Sequence, residues 1–284
     1  MADRRPAALD YLVIGHVTRD ILPGGGSAVG GTATYAARTA QAIGCRTGVI
    51  TSAEADLELR TVLPDIALLR VPAPATTTFE NRYTHSGRVQ LVHAVARALT
   101  PSDVPPHWRP AGVVHLGPVA QECDPALAHV FGHAFLGLTP QGWMRRWDRQ
   151  GRVRPVPWET AGRLLPHANA VVVSEEDLAG AEDAVHGWAA QTPVVAVTRG
   201  PQGCSVYAGG AVRDVPGYPA VEVDPTGAGD IFTATFFTAL AEGMEPWQSA
   251  QLANAVAAIS VTRRGLSSIP TPAEIARCRA RLSS

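Results

Sequence analysis

The chain has 284 residues, 46% of them hydrophobic, and a formal net charge of -1. That length suits one large α/β domain or two small ones with a sizeable core, and the near-neutral charge leaves no electrostatic footprint for a nucleic acid. All 24 basic residues are arginine, which argues against a Walker P-loop kinase, whose lysine must reach the nucleotide phosphates, and excludes Schiff-base chemistry on a lysine.

In chain order, Met1-Ala2-Asp3-Arg4-Arg5-Pro6 leads into a strand-like stretch rather than a signal-peptide core. No apolar run reaches membrane-spanning length, so a cytoplasmic location without a membrane partner is expected. Residues 9–17 form a continuous apolar run that suits a buried parallel strand. A glycine-rich stretch at 22–31 precedes a helix over 32–43, with Gly44 as its C-terminal cap. Strands follow at 45–51 and 66–71. The segment 76–91 is polar and rich in β-formers, and His85-Ser86-Gly87 breaks it as a hairpin turn would, so it reads as a flap over a cleft.

Further strands are expected at 112–116, 130–138, 170–174 and 193–198, with helices at 159–165 and 175–190 between them. This alternation implies a doubly wound, mostly parallel sheet. A late hairpin spans 204–215, and the last third is helical over 227–242, 247–263 and 272–282. The four cysteines are widely spaced and read as free thiols. The nine histidines show no metal spacing and read as structural or surface residues.

The strongest chemical signal is Val223-Asp224-Pro225-Thr226-Gly227-Ala228-Gly229-Asp230, followed by an apolar helix. Glycines bend the backbone tightly, and the first turn of a helix offers open N–H donors and a positive dipole end. Together these form an anion site suited to phosphate. Asp230 repels the anion its neighbours attract, and that conflict makes sense if Asp230 takes a proton from a hydroxyl that attacks the phosphate.

Asp224 to Asp230 with its apolar helix resembles the signature of the ribokinase (PfkB) family of carbohydrate kinases. Gly30-Gly31-Thr32-Ala33-Thr34-Tyr35-Ala36-Ala37 and Val197-Thr198-Arg199-Gly200-Pro201-Gln202-Gly203 resemble two further family stretches in the same order. Most members carry asparagine where this chain has Tyr35, and an aromatic residue there is similar to the myo-inositol kinase branch. Gly15 to Asp20, Thr76 to Glu80, Gln141 to Trp143 and Tyr218 to Pro225 are similar to that branch as well.

The resemblance implies a three-layer α/β/α sandwich with a mostly parallel sheet. The whole chain would be one kinase domain, with a small lid from parts of 18–31 and 76–93. ATP would be the donor, with Mg²⁺ carried on its phosphates. Asp230 would be the general base, and the N–H groups of Gly227, Ala228 and Gly229 would hold the transferring phosphoryl. Thr226 would add a hydroxyl there. Thr198, Gly200 and Gly203 would line the nucleotide site, with Asn254 near the adenine. Ser174 and Asp177 stand where the family places a motif near the metal, and a helix N-cap explains them equally well.

On the acceptor side, Asp20 suits a pair of neighbouring polyol hydroxyls, and Gly30 and Gly31 permit close approach to a ring. Thr78, Glu80 and Arg82 alternate on the flap, and Gln141 is placed to reach the polyol. Each of these also reads as an ordinary strand or loop residue. Inositol is the leading acceptor, a nucleoside or ribose the alternative, and a non-catalytic sugar-binding relative a third reading that an intact Asp230 opposes. The protein would be a monomer or a homodimer.

Overall fold

A computed structural model describes residues 8–84 and 87–282; the segment 1–7 and the turn expected at His85-Ser86 lie outside the described residues. In chain order the strands are β1 (Tyr11–Ile14), β2 (Thr18–Ile21), β3 (Ser27–Gly30), β4 (Thr47–Ala53), β5 (Ala67–Pro72), β6 (Thr78–Thr84), β7 (Gly87–Ala94), β8 (Val113–Leu116), β9 (Phe135–Leu138), β10 (Arg145–Trp147), β11 (Val153–Pro155), β12 (Ala170–Ser174), β13 (Val194–Thr198), β14 (Gly203–Ala208) and β15 (Ala211–Pro216). The helices are α1 (Thr32–Ile43), α2 (Leu59–Val62), α3 (Ala161–Leu164), α4 (Glu175–Leu178), α5 (Asp183–Ala189), α6 (Ala228–Ala241), α7 (Pro246–Ser260) and α8 (Pro272–Leu282).

Nine strands form one sheet in the order β15-β14-β13-β12-β9-β8-β1-β4-β5. The seven from β13 to β5 run parallel, and β14 and β15 close one edge antiparallel. Every residue of β1, β4 and β8 is buried, as a strand covered on both faces requires. Alternate residues of β1 feed two cores: Leu12 and Ile14 face Trp143, Trp158 and Trp188, while Tyr11 and Val13 face α1, α6 and α7. The sheet is thus the middle of three layers.

A second sheet, ordered β3-β2-β6-β7, stands apart from the large one, and β10 pairs with β11 as a separate hairpin. Val92 N–H on β7 donates to Gly151 O in the β10–β11 turn at 2.8 Å, so the small sheet leans on that hairpin.

Several expected elements differ in extent. The strand expected over 130–138 is reduced to β9, after Gly132 and His133 interrupt it. The helix expected over 175–190 splits into α4 and α5, because Ala179 turns left-handed at φ 49 and Gly180 follows at φ 91. The hairpin β10–β11 has no clear alternating pattern and is found only in the fold. Gly44 caps α1 in the left-handed conformation at φ 110, as expected. No helix among the described residues is long and apolar enough to cross a membrane.

The placement of α6 decides where the chemistry sits. Residues Ile231 to Ala239 of α6 are all buried. Thr233, Thr235 and Thr238 survive there by donating their hydroxyls to carbonyls four residues back, at 2.7, 2.8 and 2.8 Å. The Phe237 ring lies directly over Gly137 of β9, where any Cβ would collide with it. Gly137→Ala should therefore cost about 1–3 kcal/mol through displacement of α6, read as a lower urea midpoint at unchanged m-value; an unaltered midpoint would mean that this close seat is not required.

Candidate active site

Gly227 is the N-cap of α6 with φ 81, a left-handed value that favours glycine. A Cβ at Gly227 would run into the Tyr35 ring, so the turn and the aromatic ring require each other. Asp224 fixes the loop before it: its Oδ1 accepts the Thr226 N–H at 3.0 Å and its Oδ2 the Gly265 N–H at 3.3 Å. Ala228 N–H is turned back onto Pro225 O at 3.1 Å. The remaining N–H groups of the first turn have no carbonyl four residues back within the helix.

Asp230 lies on this first turn and keeps part of its surface open. Burial pushes its carboxyl up to about 6; the Thr32 hydroxyl and the Arg145 charge oppose that rise, and the Asp177 charge adds to it. Asp20 on β2 is also pushed up to about 6 by burial, against a hydrogen bond from Thr18 Oγ1 at 3.0 Å. Tyr35 is buried between them. Its phenol is raised well above its ordinary value by burial first and then by the charges of Asp230, Asp20 and Asp224. It stays protonated and can donate.

Gly30 abuts the Asp20 carboxylate, and a Cβ there would collide with Oδ2. Gly31, at φ 85, passes so close to His16 that a Cβ would lie 2.7 Å from its carbonyl oxygen. Asp20, Gly30, Gly31, Tyr35, Gly227 and Asp230 therefore surround one corner between the small sheet and the start of α6.

On the other side of Asp230, Ser174 caps α4. Its Oγ accepts the Asp177 N–H at 3.0 Å and donates to Asp177 Oδ2 at 2.6 Å, so the capping geometry is present. Arg145 Nη2 reaches Asp177 Oδ1 at 3.4 Å. Gln141, expected to reach the acceptor, instead directs Nε2 at the Asp177 carboxylate, at 3.2 and 3.4 Å. Among the described residues no group of three or more His, Cys, Asp or Glu side chains gathers as a metal site. This donor set fits a cation held mainly by phosphate oxygens and water rather than by a protein cage.

Thr198 ends β13, its hydroxyl 3.5 Å from Val173 O. Gly200 and Gly203 both have positive φ, and a Cβ on Gly203 would strike the β15 backbone. Asn254, expected beside an adenine, is buried, and its Nδ2 donates to Val215 O and Pro216 O, both at 3.1 Å. That amide secures the end of β15. Thr78 turns its hydroxyl onto Thr76 O at 2.8 Å. Glu80 is engaged on the small sheet by Arg82 at 2.6 Å and His93 at 2.8 Å, so its carboxylate is taken up by those two side chains. Thr226 is exposed.

Two residues at the corner escaped the sequence reading. Thr32 follows the glycine pair at the start of α1, a position that signals a helix start but not a contact to Asp230. Arg145 lies in a stretch without regular pattern; only the fold brings it to Asp177 and Asp230.

The pattern of the pfkB family carbohydrate kinases matches residues 157–274. Inositol 3-kinase of Oryza sativa subsp. japonica is 30% identical over 286 residues, covering 91% of this chain and 70% of that protein. Cytidine kinase of Thermococcus kodakarensis is 27% identical over 252 residues, covering 83% and 90% respectively. A pyrophosphate-dependent kinase in the ribokinase family, solved with a pyrophosphate analog and myo-inositol, superposes with a TM-score of 0.80 at 20% identity, covering 94% of this chain and 99% of that one. The fold is the ribokinase fold. The chain belongs to the pfkB family of carbohydrate kinases, enzymes that transfer a phosphoryl group to an alcohol.

The raised carboxyl of Asp230 has a consequence for stability. The folded state holds that proton more tightly than the unfolded chain, so its contribution is a penalty present above about pH 6 and absent below about pH 4. Asp230→Asn should unfold at a higher temperature than the parent at pH 8, by about 1–3 kcal/mol in stability. The two melting curves should converge as the pH falls from about 6 to about 4. A difference that is constant with pH would contradict a buried, reluctant carboxylate.

Proposed function

We propose that this enzyme phosphorylates one hydroxyl of a cyclic polyol, with inositol as the leading acceptor and ATP as the donor. The observation that carries this reading is the placement of Asp230, raised to about 6, on the anion-binding turn of α6 and beside the Asp20–Tyr35 corner. At neutral pH both carboxylates are ionised. Asp20 would accept hydrogen bonds from two neighbouring hydroxyls, and the Tyr35 phenol would donate one. Asp230 would accept the proton of the attacking hydroxyl as the oxygen–phosphorus bond forms. The N–H groups of Gly227 and Gly229 would hold the phosphoryl oxygens, since that of Ala228 is engaged by Pro225 O, with Arg145 adding positive charge from the donor side.

Mg²⁺, when bound, would neutralise charge on the donor phosphates, and Asp177 would help hold it through water. The small sheet, reached from the body through β2 and β6, would act as the lid of a single kinase domain. The 30% identity to an inositol 3-kinase supports the acceptor. The donor reading is supported by Tyr218, Val221 and Val223, large apolar residues that are 42%, 82% and 48% exposed just before the anion turn. A purine ring would cover such surface, whereas pyrophosphate would leave it bare.

ATP and pyrophosphate should be tested in parallel against inositols, hexoses, ribose and cytidine, with the phosphorylated product identified directly. Turnover of inositol with ATP is the expected result; turnover of cytidine alone would overturn the acceptor, and turnover with pyrophosphate alone the donor. Asp230→Asn should lower kcat by at least about a hundredfold while ATP still binds. A variant within a few-fold of the parent would remove Asp230 from the chemistry. Because Asp20 and Asp230 both titrate near 6, log kcat/KM should fall below about pH 5 with a slope approaching two. In Asp20→Asn that slope should drop to one.

A further inference from the structure

His16 and Thr77 are buried to zero exposure, and the phosphoryl-transfer chemistry uses neither. They sit where the small sheet joins the body. His16 Nε2 lies 2.9 Å from Arg97 O, just past the end of β7. A carbonyl only accepts, so Nε2 carries the proton. Nδ1 of the same ring lies 2.6 Å from the Thr77 hydroxyl, a second hydrogen bond on the imidazole. Thr77 Oγ1 in turn accepts the Ala96 N–H at 2.9 Å. Thr77 O accepts the Arg19 N–H on β2, also at 2.9 Å.

The body end of this assembly is equally well held. Glu122 is buried, and its carboxylate accepts the His16 N–H at 2.8 Å, the Val119 N–H at 3.0 Å and the Ala120 N–H at 2.7 Å. Val17 N–H donates to Thr51 Oγ1 at 2.8 Å. One imidazole and one hydroxyl thus tie together the starts of β2 and β6 and the chain leaving β7, and fix all three to the large sheet.

We infer that the His16–Thr77 pair is a positioning device for the acceptor: it sets the angle of the small sheet and thereby the place of Asp20 over the Asp230 corner. Asp20 lies four residues beyond His16, paired with Phe79 of β6 two residues beyond Thr77. A tilt of β6 against β2 at this root moves the Asp20 carboxylate directly. The donor-side residues Ser174, Asp177 and Thr198 lie on β12, α4 and β13, and their hydrogen bonds go to partners other than His16 and Thr77. Loss of the pair therefore weakens the acceptor and spares the donor. This inference rests on the reading of Asp20 as an acceptor ligand.

Thr77→Val keeps the shape and deletes the hydroxyl; Thr77→Ser keeps the hydroxyl. Thr77→Val should raise the KM for inositol by about tenfold or more, the scale of a buried hydrogen bond left unmade. Its kcat should stay within about threefold and its KM for ATP within about twofold, and Thr77→Ser should restore the acceptor KM. An unchanged acceptor KM in Thr77→Val, or donor and acceptor KM rising together, would overturn the inference. Asp20→Asn, assayed alongside, separates the two levels. If it leaves the acceptor KM untouched, the acceptor-site reading has failed; if it raises KM while Thr77→Val does not, only the role of the pair has failed.

Should Thr77→Val not fold, hydrogen exchange on the parent enzyme decides. The Arg19 and Ala96 amides should exchange slowly and slow further with inositol but not with ATP alone. Fast exchange, or equal protection by either substrate, would refute the pair's role.

Discussion

A carboxylate at the start of a buried helix is the constraint on which the rest of this structure depends. Asp230 must stand beside N–H groups that attract anions, in a corner dry enough to raise its proton affinity, yet open enough to meet a substrate. The fold meets these demands by burying nearly every side chain of α6 behind it. Phe237 fills the space over Gly137, and the threonines of α6 satisfy their hydroxyls within the helix. The helix therefore has little freedom to move, and its first turn is held where the sheet puts it. The cost is a reluctant charge, which makes the site less stable at neutral pH than a neutral amide would be.

Around that carboxylate the glycines are spatial necessities. Gly227 gives way to the ring of Tyr35, Gly30 to the carboxylate of Asp20, and Gly31 to the carbonyl of His16. Each leaves room for a polar or aromatic group that belongs to another element. Tyr35 then stands among three carboxylates and keeps its proton, which gives the corner a donor among acceptors. An acceptor molecule with several adjacent hydroxyls matches that mixture of groups.

The donor side follows a different plan. There Asp177 gathers Ser174, Gln141 and Arg145 into one network, and Asn254 and Gly203 fasten the end of β15. These contacts hold backbone and charge in place rather than forming a cage of ligands. Such an arrangement suits a donor that brings its own counter-ion. The small sheet is held at its root through His16 and Thr77 and along β7 by the β10–β11 hairpin, which also carries Arg145 to Asp177.

Much of this was legible in the residues themselves. Continuous apolar runs marked the buried parallel strands because a strand covered on both faces has no polar side to show. The glycine turn before an apolar helix marked the start of α6, with Asp230 on its first turn, because local backbone geometry sets both. Asp20 and Tyr35 could be named as candidates. That Tyr35 abuts the turn of α6 and feels the charges of both Asp20 and Asp230 follows only from α1 packing on α6 in space. Arg145, Thr32 and the contact of Gln141 depended on partners 32 or 36 residues away in the chain or farther, where no local pattern carries information. The same holds for His16, whose role comes from joining three separated segments. By itself the sequence determined the elements and the glycine turn before α6, since these depend on neighbours along the chain. Tertiary structure alone decided which charges share a corner, because burial and distance arise only when the layers pack.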